Sequence, residues 1–439
     1  MALLADLPRL WPSPVAAPRP TRPSAVRASG RPDPAGQQRL LKGINRMALV
    51  RQLCVKPGLS RADLAASVQL TKSTVGLLVR ELIAEGWLLE RDSVVTGDIG
   101  RRPTPLFVDP TRLVLLGAEI GIDSMRIVAT SLVGDVLASA LVDHGSDRGA
   151  DACITRLAVA LVELRLRLDG GAQEVIGIGI GLPGGVDETT GFLHFAPNLG
   201  WRSVAVGALL EAALADTALA GVPLFLQNEA DVAALGELEF DAGAAADPLL
   251  YVSVNQGVGA GVIVGDRLLI GSRGFAGEVG HTILQPDGPL CSCGRRGCAE
   301  ALIGMRAMLP AANHPARRGR AATPASVASR LAAGDADTRR AVEDAGGHLG
   351  TLLQNLAASY DPACIVLGGA GVALGDAFVE PALRTLRAYC SAANLPVPVV
   401  RLSQRGTEAV AVGAAALVRY RLTRPLIAAI ERTAARGAR

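Results

Sequence analysis

The sequence predicts an α/β protein with two lobes, which follow a small helical domain at the N-terminus. From Arg112 onward, short apolar runs typical of strands alternate with alanine- and leucine-rich runs of helical periodicity. Residues 39–109 instead carry three helical patterns in succession. A chain of 439 residues is long enough for about three domains and a sizeable core.

Composition sets the expected compartment but excludes few functions. The formal net charge is only +3, so a nucleic-acid partner would need a local basic patch. No uncharged apolar run reaches the roughly 18 residues of a membrane span. The first residues also lack the charged start and apolar core of a secretory signal. We therefore expect a cytoplasmic protein without membrane association.

The first 38 residues are rich in proline, arginine and alanine and show no hydrophobic periodicity. Such a segment buries too little apolar surface to offset the entropy lost on ordering. Residues 1–38 are therefore predicted to be a disordered leader. An arginine-rich segment poor in acidic residues is also typical of transit peptides, although this one shows no clear amphipathic helix.

Residues 39–109 are predicted to form a helix-turn-helix domain. The run INRMALVRQLC predicts a first helix, and Ser60 with Asp63 resembles a capping box at the start of a second. After a short turn, KSTVGLLVRELIAEGWLLE places its apolar residues at helical spacing. Two short helices, a tight turn and an amphipathic third helix are the pattern of a helix-turn-helix.

An ordinary three-helix bundle shows the same apolar pattern, so a DNA-binding role depends on two further features. The third helix begins with short polar side chains suited to phosphates and base edges. GRRPTPLFV places two arginines between β-like runs, as at the tip of a hairpin wing. The residues predicted to contact DNA are Thr71, Lys72, Ser73, Thr74, Arg80, Arg101 and Arg102.

The α/β region is predicted to comprise a first lobe at 112–235 and a second lobe at 236–425, followed by a tail at 426–439. LVLLGAEIGID, RIVATSLV, EVIGIGIGLPG and PLFLQNEA are strand candidates of the first lobe. LYVSVNQGVGAGVIVG and CIVLGGA are those of the second, and the final helix is expected to return to the first lobe. Glycine-rich turns follow several strands, where α/β proteins place ligands, although tight turns need glycine in any case.

Three cysteines lie within eight residues of the second lobe, and His281 precedes the first of them by ten. A disulfide framework does not suit an odd number of cysteines in a reducing compartment, and unliganded core thiols do not suit so polar a segment. Cys291, Cys293 and Cys298 with His281 make a Cys₃His set, which is typical of structural zinc. Four protein ligands close the coordination shell, so this Zn²⁺ is expected to hold the loop rather than activate water.

Two glutamates flank this cluster. Glu278 precedes His281 by three residues and Glu300 follows Cys298 by two, so fixing the ligands brings both carboxylates near one place. Ionised carboxylates accept hydrogen bonds from adjacent sugar hydroxyls, and a zinc-bound histidine keeps its other ring nitrogen as a donor. The pattern predicts a polyol site, and the alternative is a pair of solvated surface glutamates.

GEVGH followed by CSCGRRGCAE resembles the signature of the ROK family, which unites bacterial repressors, uncharacterised frames and sugar kinases. The resemblance extends over about residues 40–420, and residues 181–201 resemble the family's sugar-loop segment. It implies a two-lobed actin-like or hexokinase-like (ribonuclease H-like) ATPase fold with the sugar between the lobes. The N-terminal winged helix-turn-helix resembles that of the family's xylose and N-acetylglucosamine repressors, and the kinases lack it.

The family motif, matched position by position, implies the same zinc ligands and a set of sugar-binding residues. The residues implied to bind sugar are Asn198, Asn228, Glu229, Glu278, His281 and Glu300. The kinases place an aspartate general base where this chain has Glu229. The longer side chain moves the carboxylate by roughly an ångström, which can cost on the order of a hundredfold in rate. No catalytic residue is therefore expected.

The segments that match the kinases' ATP-binding loops depart further from the family. Ile122 stands where a glycine lets phosphate approach the backbone, and Asp123 puts a negative charge beside the phosphate oxygens. In the second loop, Asn255 and Gln256 replace the usual Gly-Thr. The LGGA segment at 367–370 is nearly intact.

The DNA-binding segment departs from the family at two positions. Gln69 replaces a glycine common in the turn, and it reaches the left-handed conformation only at some energetic cost. Gly76 replaces a polar residue of the third helix and removes a side chain that could contact a base. Turn geometry and base contacts are therefore the features in which this domain is expected to differ from its relatives.

These residues predict a sugar-responsive transcriptional regulator, a repressor without kinase activity. Its expected partners are a double-stranded DNA operator and a sugar effector. The family implies a homodimer or homotetramer, and a dimer suits two half-sites spaced by whole helical turns. The alternatives are an ATP-dependent sugar kinase with a fused DNA-binding domain, and a regulator that binds DNA without sensing a sugar.

Overall fold

The computed structural model describes residues 34–92, 104–168, 173–241, 246–309 and 323–425. The chain divides into a unit that ends at Lys42 and one that begins at Gly43, and the contacts described below lie in the second unit. Three predicted segments fall wholly or mostly outside the described residues: the leader at 1–38, the wing tip with Arg101 and Arg102, and the tail at 426–439. Helix α1 already begins at Pro34, within the segment predicted as leader.

Three helices and a two-stranded antiparallel sheet form the N-terminal part, in the element order of a winged helix-turn-helix. They are α1 Pro34–Val55, α2 Arg61–Ser67, α3 Lys72–Ala84, β1 Leu88–Glu90 and β2 Leu106–Val108. The predicted capping box forms at α2, where the Ser60 and Asp63 side chains each accept from the other residue's backbone N–H. Gln69 lies between α2 and α3 at φ +55°, so the turn does adopt the costly left-handed conformation.

The first α/β lobe is built on a five-stranded sheet in the order β10-β6-β3-β4-β5. These strands are β3 Leu113–Ile120, β4 Ser124–Ser131, β5 Val136–Asp143, β6 Glu174–Leu182 and β10 Leu224–Asn228. The first three form an antiparallel meander, whereas β6 and β10 run parallel to β3. Helices α4 Ala150–Arg167 and α5 Val206–Leu214 pack on this sheet. A small antiparallel sheet follows β6 and consists of β7 Gly185–Asp187, β8 Phe192–Ala196 and β9 Trp201–Val204.

The second lobe repeats this combination of antiparallel and parallel strands in the order β13-β12-β11-β14-β15. Its strands are β11 Leu249–Val254, β12 Val258–Val264, β13 Arg267–Leu268, β14 Cys364–Gly368 and β15 Val399–Leu402. β11, β12 and β13 are antiparallel neighbours, while β14 and β15 run parallel to β11. Its helices are α7 Ala299–Ile303, α8 Pro324–Ala332, α9 Ala336–Tyr360 and α10 Asp376–Ala392.

Helices α6 Glu229–Phe240 and α11 Ala409–Thr423 pack against each other where the two lobes meet. α11 also lies close against β3 and β6 of the first sheet, because glycines face it. A methyl group added at Gly117 would lie 2.1 Å from the carbonyl oxygen of Ala411, and one at Gly179 would lie 1.8 Å from that of Ala414. Any larger residue would push the helix off the sheet. Among the described residues, no helix combines the length and apolar character needed to cross a membrane.

Candidate functional site

The three clustered cysteines and the histidine converge on one point. The ligand atoms of His281, Cys291, Cys293 and Cys298 all lie within 4.8 Å of one another. The Cys293 and Cys298 sulfurs are 3.7 Å apart, and the Cys291 sulfur is 3.7 Å from His281 Nδ1. Sulfur ligands of a tetrahedral zinc, with bonds of about 2.3 Å, would be roughly 3.8 Å apart. The donor set and its spacing therefore fit a metal ion.

Local backbone geometry explains this convergence. His281 ends a short 3-10 turn, Val279–His281, and the loop returns to it through a bridge between Ile283 and Cys298. Gly297 in that loop has φ +69°, and a methyl group there would lie 1.4 Å from the carbonyl oxygen of Gln285. A side chain at this position would therefore open the loop and separate the sulfurs.

The cluster places two carboxylates beside it. His281 directs Nδ1 toward Cys291, and its Nε2 lies 3.8 Å from Oε2 of Glu278. Glu300 lies in the first turn of α7, two residues after Cys298, and its Oε1 accepts a hydrogen bond of 2.6 Å from the Ser292 hydroxyl. A metal on Nδ1 would leave the ring proton on Nε2, facing the glutamate.

A cavity of about 60 Å³ opens next to the cluster, and all six residues predicted to bind sugar line it. They are Asn198, Asn228, Glu229, Glu278, His281 and Glu300. Ser292 lines it as well, a residue that the sequence prediction missed. Its position between two ligand cysteines was an available signal, because the same loop that carries the ligands also forms the wall.

Asn228 is partly engaged before any ligand arrives. Its Oδ1 caps α6 by accepting from the backbone N–H of Ala230 at 2.8 Å, and its Nδ2 donates to the carbonyl oxygen of Gly184 at 3.0 Å. One amide proton is left for a ligand. The residue therefore holds the start of α6 as well as lining the cavity.

Burial and neighbouring charges raise the pKa values of carboxyl groups in and beside the cleft. Burial, together with the charges of Glu278 and Glu300, raises the pKa of Glu229 to about 7. Burial also raises the pKa of Glu278, against the opposing effect of His281. Asp231 is buried and its Oδ1 has no hydrogen-bond partner among the described residues. Burial with the charge of Glu278 raises the pKa of Asp231 well above the usual value. Protonated and ionised carboxyls together offer both donors and acceptors to hydroxyl groups.

The neighbouring half of the cleft is a cavity of about 240 Å³. Its lining includes the four residues that depart from the kinase loops, Ile122, Asp123, Asn255 and Gln256. Glu119 faces it too, and burial with the charge of Glu229 raises the pKa of Glu119 to about 8. The two cavities share Glu229 and Asn198 in their walls, so they are parts of one cleft.

Asn255 occupies hydrogen-bonding positions on this side. Its Oδ1 accepts from the backbone N–H of Ala370 at 2.8 Å, and its Nδ2 donates to the Ser253 hydroxyl at 3.1 Å. Ala370 belongs to the LGGA segment, which the sequence alone shows as nearly intact. A backbone donor of that segment is therefore already satisfied by a side chain from the opposite loop.

The start of α3 presents the polar side chains predicted to contact DNA. Lys72, Ser73 and Arg80 are exposed, and Thr74 is half-buried. The Thr71 hydroxyl caps α3 by accepting from the backbone N–H of Thr74 at 3.2 Å. Thr71 therefore has a structural role in addition to the predicted contact. Arg101 and Arg102, predicted for the wing tip, lie outside the described residues.

Comparison with known proteins identifies relatives of both regulatory and enzymatic kind. The chain is 30% identical over 400 residues to the xylose repressor of Caldicellulosiruptor bescii. The alignment covers 87% of this chain and 97% of that protein. A solved ROK family glucokinase from Streptomyces griseus, in complex with glucose and AMPPNP, matches 70% of this chain and 99% of its own, with a TM-score of 0.60 and 26% identity.

A second solved structure has the same fold over more of the chain. It is a ROK family transcriptional regulator, a homolog of the E. coli MLC protein, and it matches 88% of this chain and 98% of its own at 23% identity, with a TM-score of 0.70. The ROK family model matches residues 115–421, which contain both lobes and the cysteine cluster. The chain therefore belongs to the ROK family.

Proposed function

We propose that this protein is a sugar-responsive transcriptional regulator, acting as a repressor, that binds a sugar between its lobes without phosphorylating it. The proposal rests on the combination of a helix-turn-helix element order with a cleft of two unlike halves. On the sugar side, the six residues predicted to bind sugar line one small cavity. On the phosphate side, which is the larger cavity, Asp123 lines the wall and Asn255 accepts a hydrogen bond from the Ala370 N–H. The xylose repressor relative, aligned over 87% of the chain, supports the same conclusion.

The sugar is recognised by the carboxylates and amides of the smaller cavity. Glu278 and Glu300 accept hydrogen bonds from adjacent hydroxyls, and His281 donates from Nε2. Asn198 and the free amide proton of Asn228 add neutral contacts. Xylose is the first sugar to test, since a relative is named for it. Glu229 faces the same cavity and carries a proton below about pH 7, so it can donate to a hydroxyl.

Zinc is the metal that suits the cluster. Three thiolates and one imidazole, with the observed spacing, match the tetrahedral set of closed structural sites. Bound there, zinc supplies no water activation, because His281, Cys291, Cys293 and Cys298 complete the shell. The residues of the loop then orient Glu278 and Glu300 by holding the backbone on either side of them.

Phosphoryl transfer is disfavoured by charge and by geometry. Asp123 places a carboxylate in the wall of the larger cavity, and Asn255 takes up the Ala370 N–H that a phosphate oxygen could otherwise accept from. Glu229 stands at the general-base position with a longer side chain than the kinases' aspartate.

DNA binding is assigned to the exposed start of α3. Lys72, Ser73 and Arg80 lie on its accessible surface, where a recognition helix contacts base edges and phosphates. A homodimer or homotetramer would present two such helices to an operator with two half-sites. Sugar binding that favours one arrangement of the lobes would then change the spacing of the helices and the affinity for DNA.

A sugar kinase with a fused DNA-binding domain is the second candidate, and the glucokinase with glucose and AMPPNP that shares this fold favours it. Thermal denaturation with a panel of sugars, each with and without ATP and magnesium, separates the two candidates. The regulator is stabilised by a sugar alone, since only bound ligands raise the melting temperature. ATP-dependent release of a phosphorylated sugar would establish the kinase instead.

The DNA-binding part has its own test. Replacing Arg101 and Arg102 by alanine should weaken binding to all sequences and reduce the slope of log affinity against log salt by about two units. Lys72 and Ser73 variants should instead change which sequence is preferred. An unaltered salt slope in the double arginine variant would remove those two residues from the interface.

A further inference from the structure

A charged junction joins the first helix to the body of the protein, outside the interlobe cleft. Asp266, in the turn between β12 and β13, accepts hydrogen bonds from Arg51 of α1 and from Arg424, the latter at 2.6 Å. Arg424 also pairs with Glu239 at 2.6 Å, and Glu239 pairs with Arg419 at 2.8 Å. These contacts link α1, the β12–β13 turn, the end of α6 and the end of α11.

Positive charge exceeds negative charge at this junction. Asp266 and Glu239 supply two carboxylates, whereas Arg51, Arg419 and Arg424 supply three guanidinium groups. Arg267, next to Asp266, adds a fourth, and among the described residues it has no carboxylate partner. The surplus of two positive charges is unusual at a partly buried place, because buried charges are normally paired.

Two side chains show this surplus directly. Arg424 is only 8% exposed, and its buried Nε has no hydrogen-bond partner in the described part of the chain. Burial and the neighbouring charge of Arg424 lower the pKa of the Arg51 guanidinium. Two like charges therefore stand close together, which favours an anion beside them.

A cavity of about 310 Å³ lies at the same place. Its charged lining consists of Arg51 from α1, Asp266 from the β12–β13 turn, Arg267 at the start of β13, and Arg424 after α11. Asp266 is the single carboxylate among the described lining residues, and the Thr423 hydroxyl stands beside it. The volume suits a small molecule and is too small for a folded partner or a nucleic acid strand.

We propose that this cavity is a binding site for a small phosphate-class anion, either inorganic phosphate or a phosphomonoester. Three guanidinium groups reach it from three different elements, and the planar fork of arginine matches the oxygens of phosphate. The anion supplies an acceptor for Arg267, which has no carboxylate partner among the described residues. Because it bridges Arg51 to Arg267 and Arg424, it ties α1 to the second lobe more firmly than Asp266 does alone.

Titration with inorganic phosphate, followed by calorimetry and by phosphorus NMR at constant ionic strength, tests the site. Arg267→Ala is the informative variant, since Arg267 is exposed and takes no part in the ion pairs that hold the junction. We expect it to weaken phosphate binding by about tenfold or more, the loss of one charge-assisted contact. Arg267→Lys should restore part of the affinity.

Arg339→Ala is the matched control, because Arg339 is an exposed arginine on α9 outside the cavity lining. It should bind phosphate as the wild type does. Equal affinity in the Arg267 and Arg339 variants, or no phosphate binding by the wild type at millimolar concentration, would overturn the proposal. A phosphomonoester without a sugar ring, such as glycerol phosphate, distinguishes the two sources: tighter binding than inorganic phosphate assigns the site to the ester, and equal or weaker binding assigns it to free phosphate.

Discussion

The two halves of the interlobe cleft are formed by the same two lobes, yet their side chains differ in charge and in the hydrogen bonds that they already make. On the sugar side, Glu278, Glu300 and His281 surround a small cavity next to a rigid cysteine cluster. On the phosphate side, Asp123 and Glu119 line the larger cavity, and Asn255 is bonded to the opposite loop. A hydroxyl finds acceptors and donors in the first half, whereas a polyphosphate meets carboxyl groups in the second.

Under the proposed function, this difference lets a cleft of the kinase fold serve as a sugar sensor. Hydroxyl recognition needs fixed acceptors, which the cluster positions without a nucleotide. Phosphate recognition needs free backbone N–H groups and positive charge. Here Asp123 places negative charge in the larger cavity and Asn255 occupies the Ala370 N–H, while the two lobes keep the family fold.

Removal of a metal ligand should abolish the sugar side altogether. In Cys293→Ala we expect the zinc content to fall from about one per chain to near zero, with loss of detectable sugar binding, because metal binding contributes directly to folding of such loops. Elemental analysis and calorimetry measure the two effects. Cys390→Ala removes a buried thiol outside the cluster and should retain both metal and sugar. Freshly purified, reduced wild-type protein without metal would contradict the assignment.

Loss of one carboxylate should weaken sugar binding while leaving DNA binding intact. Glu300→Ala removes an acceptor of two charge-assisted hydrogen bonds, each contributing roughly 1.5 kcal/mol or more, so affinity should fall by about a hundredfold or more. Glu163→Ala, on the exposed face of α4, is the control. Calorimetry gives the sugar affinity and a gel-shift titration gives the DNA affinity. Unchanged sugar affinity would move the site elsewhere.

The phosphate side should gain affinity when its obstructions are removed. Wild-type protein should show no ATP binding, whereas Asp123→Thr with Asn255→Gly removes a repelling charge and frees the Ala370 N–H. We expect ATP affinity to rise by about tenfold or more, into the measurable range. The single variants show which obstruction matters more. Tight ATP binding by the wild type would show that the two halves do not differ as described.

The cleft should also make the ligand-free protein less stable as pH rises. The pKa values of Glu119 and Glu229 are raised to about 8 and about 7, above the usual 4.5. The stabilisation that these two protonated carboxyl groups give to the folded state is therefore fully present below pH 4.5. It is lost as pH increases through 7 and 8, because the unfolded chain binds fewer protons than the native one. We expect the melting temperature to fall by a few degrees over this window.

Glutamine at the same positions provides the check on that dependence. Glu119→Gln and Glu229→Gln remove the titrating groups, so melting curves of these variants should be flatter between about pH 5 and pH 9. Glu163→Gln should behave as the wild type, since Glu163 is exposed. A wild-type melting temperature that rises across the window would show that other groups dominate.

Local motifs predicted the cysteine cluster and the capping box correctly, because the residues concerned are close in the chain. The ligands of the cluster lie within 18 residues and the capping pair within four, so spacing alone brings them together. The six residues predicted to bind sugar were assigned by family resemblance, and the structure brings all of them to one cavity. The place of Ser292 in the wall of that cavity required the three-dimensional arrangement.

The sequence alone identified the family and the α/β architecture, and it predicts the metal-ligand set and the obstruction of the phosphate loops, since each depends on residue identity within a short segment. Tertiary structure alone decided which distant groups meet. Asn255 bonds Ala370 across 115 positions, and Arg51 bonds Asp266 across 215. Neither pair has a local signal, because the packing of helices and sheets sets the contact between them. The same packing leaves four arginines against two carboxylates at the junction, a charge balance that no linear pattern reveals.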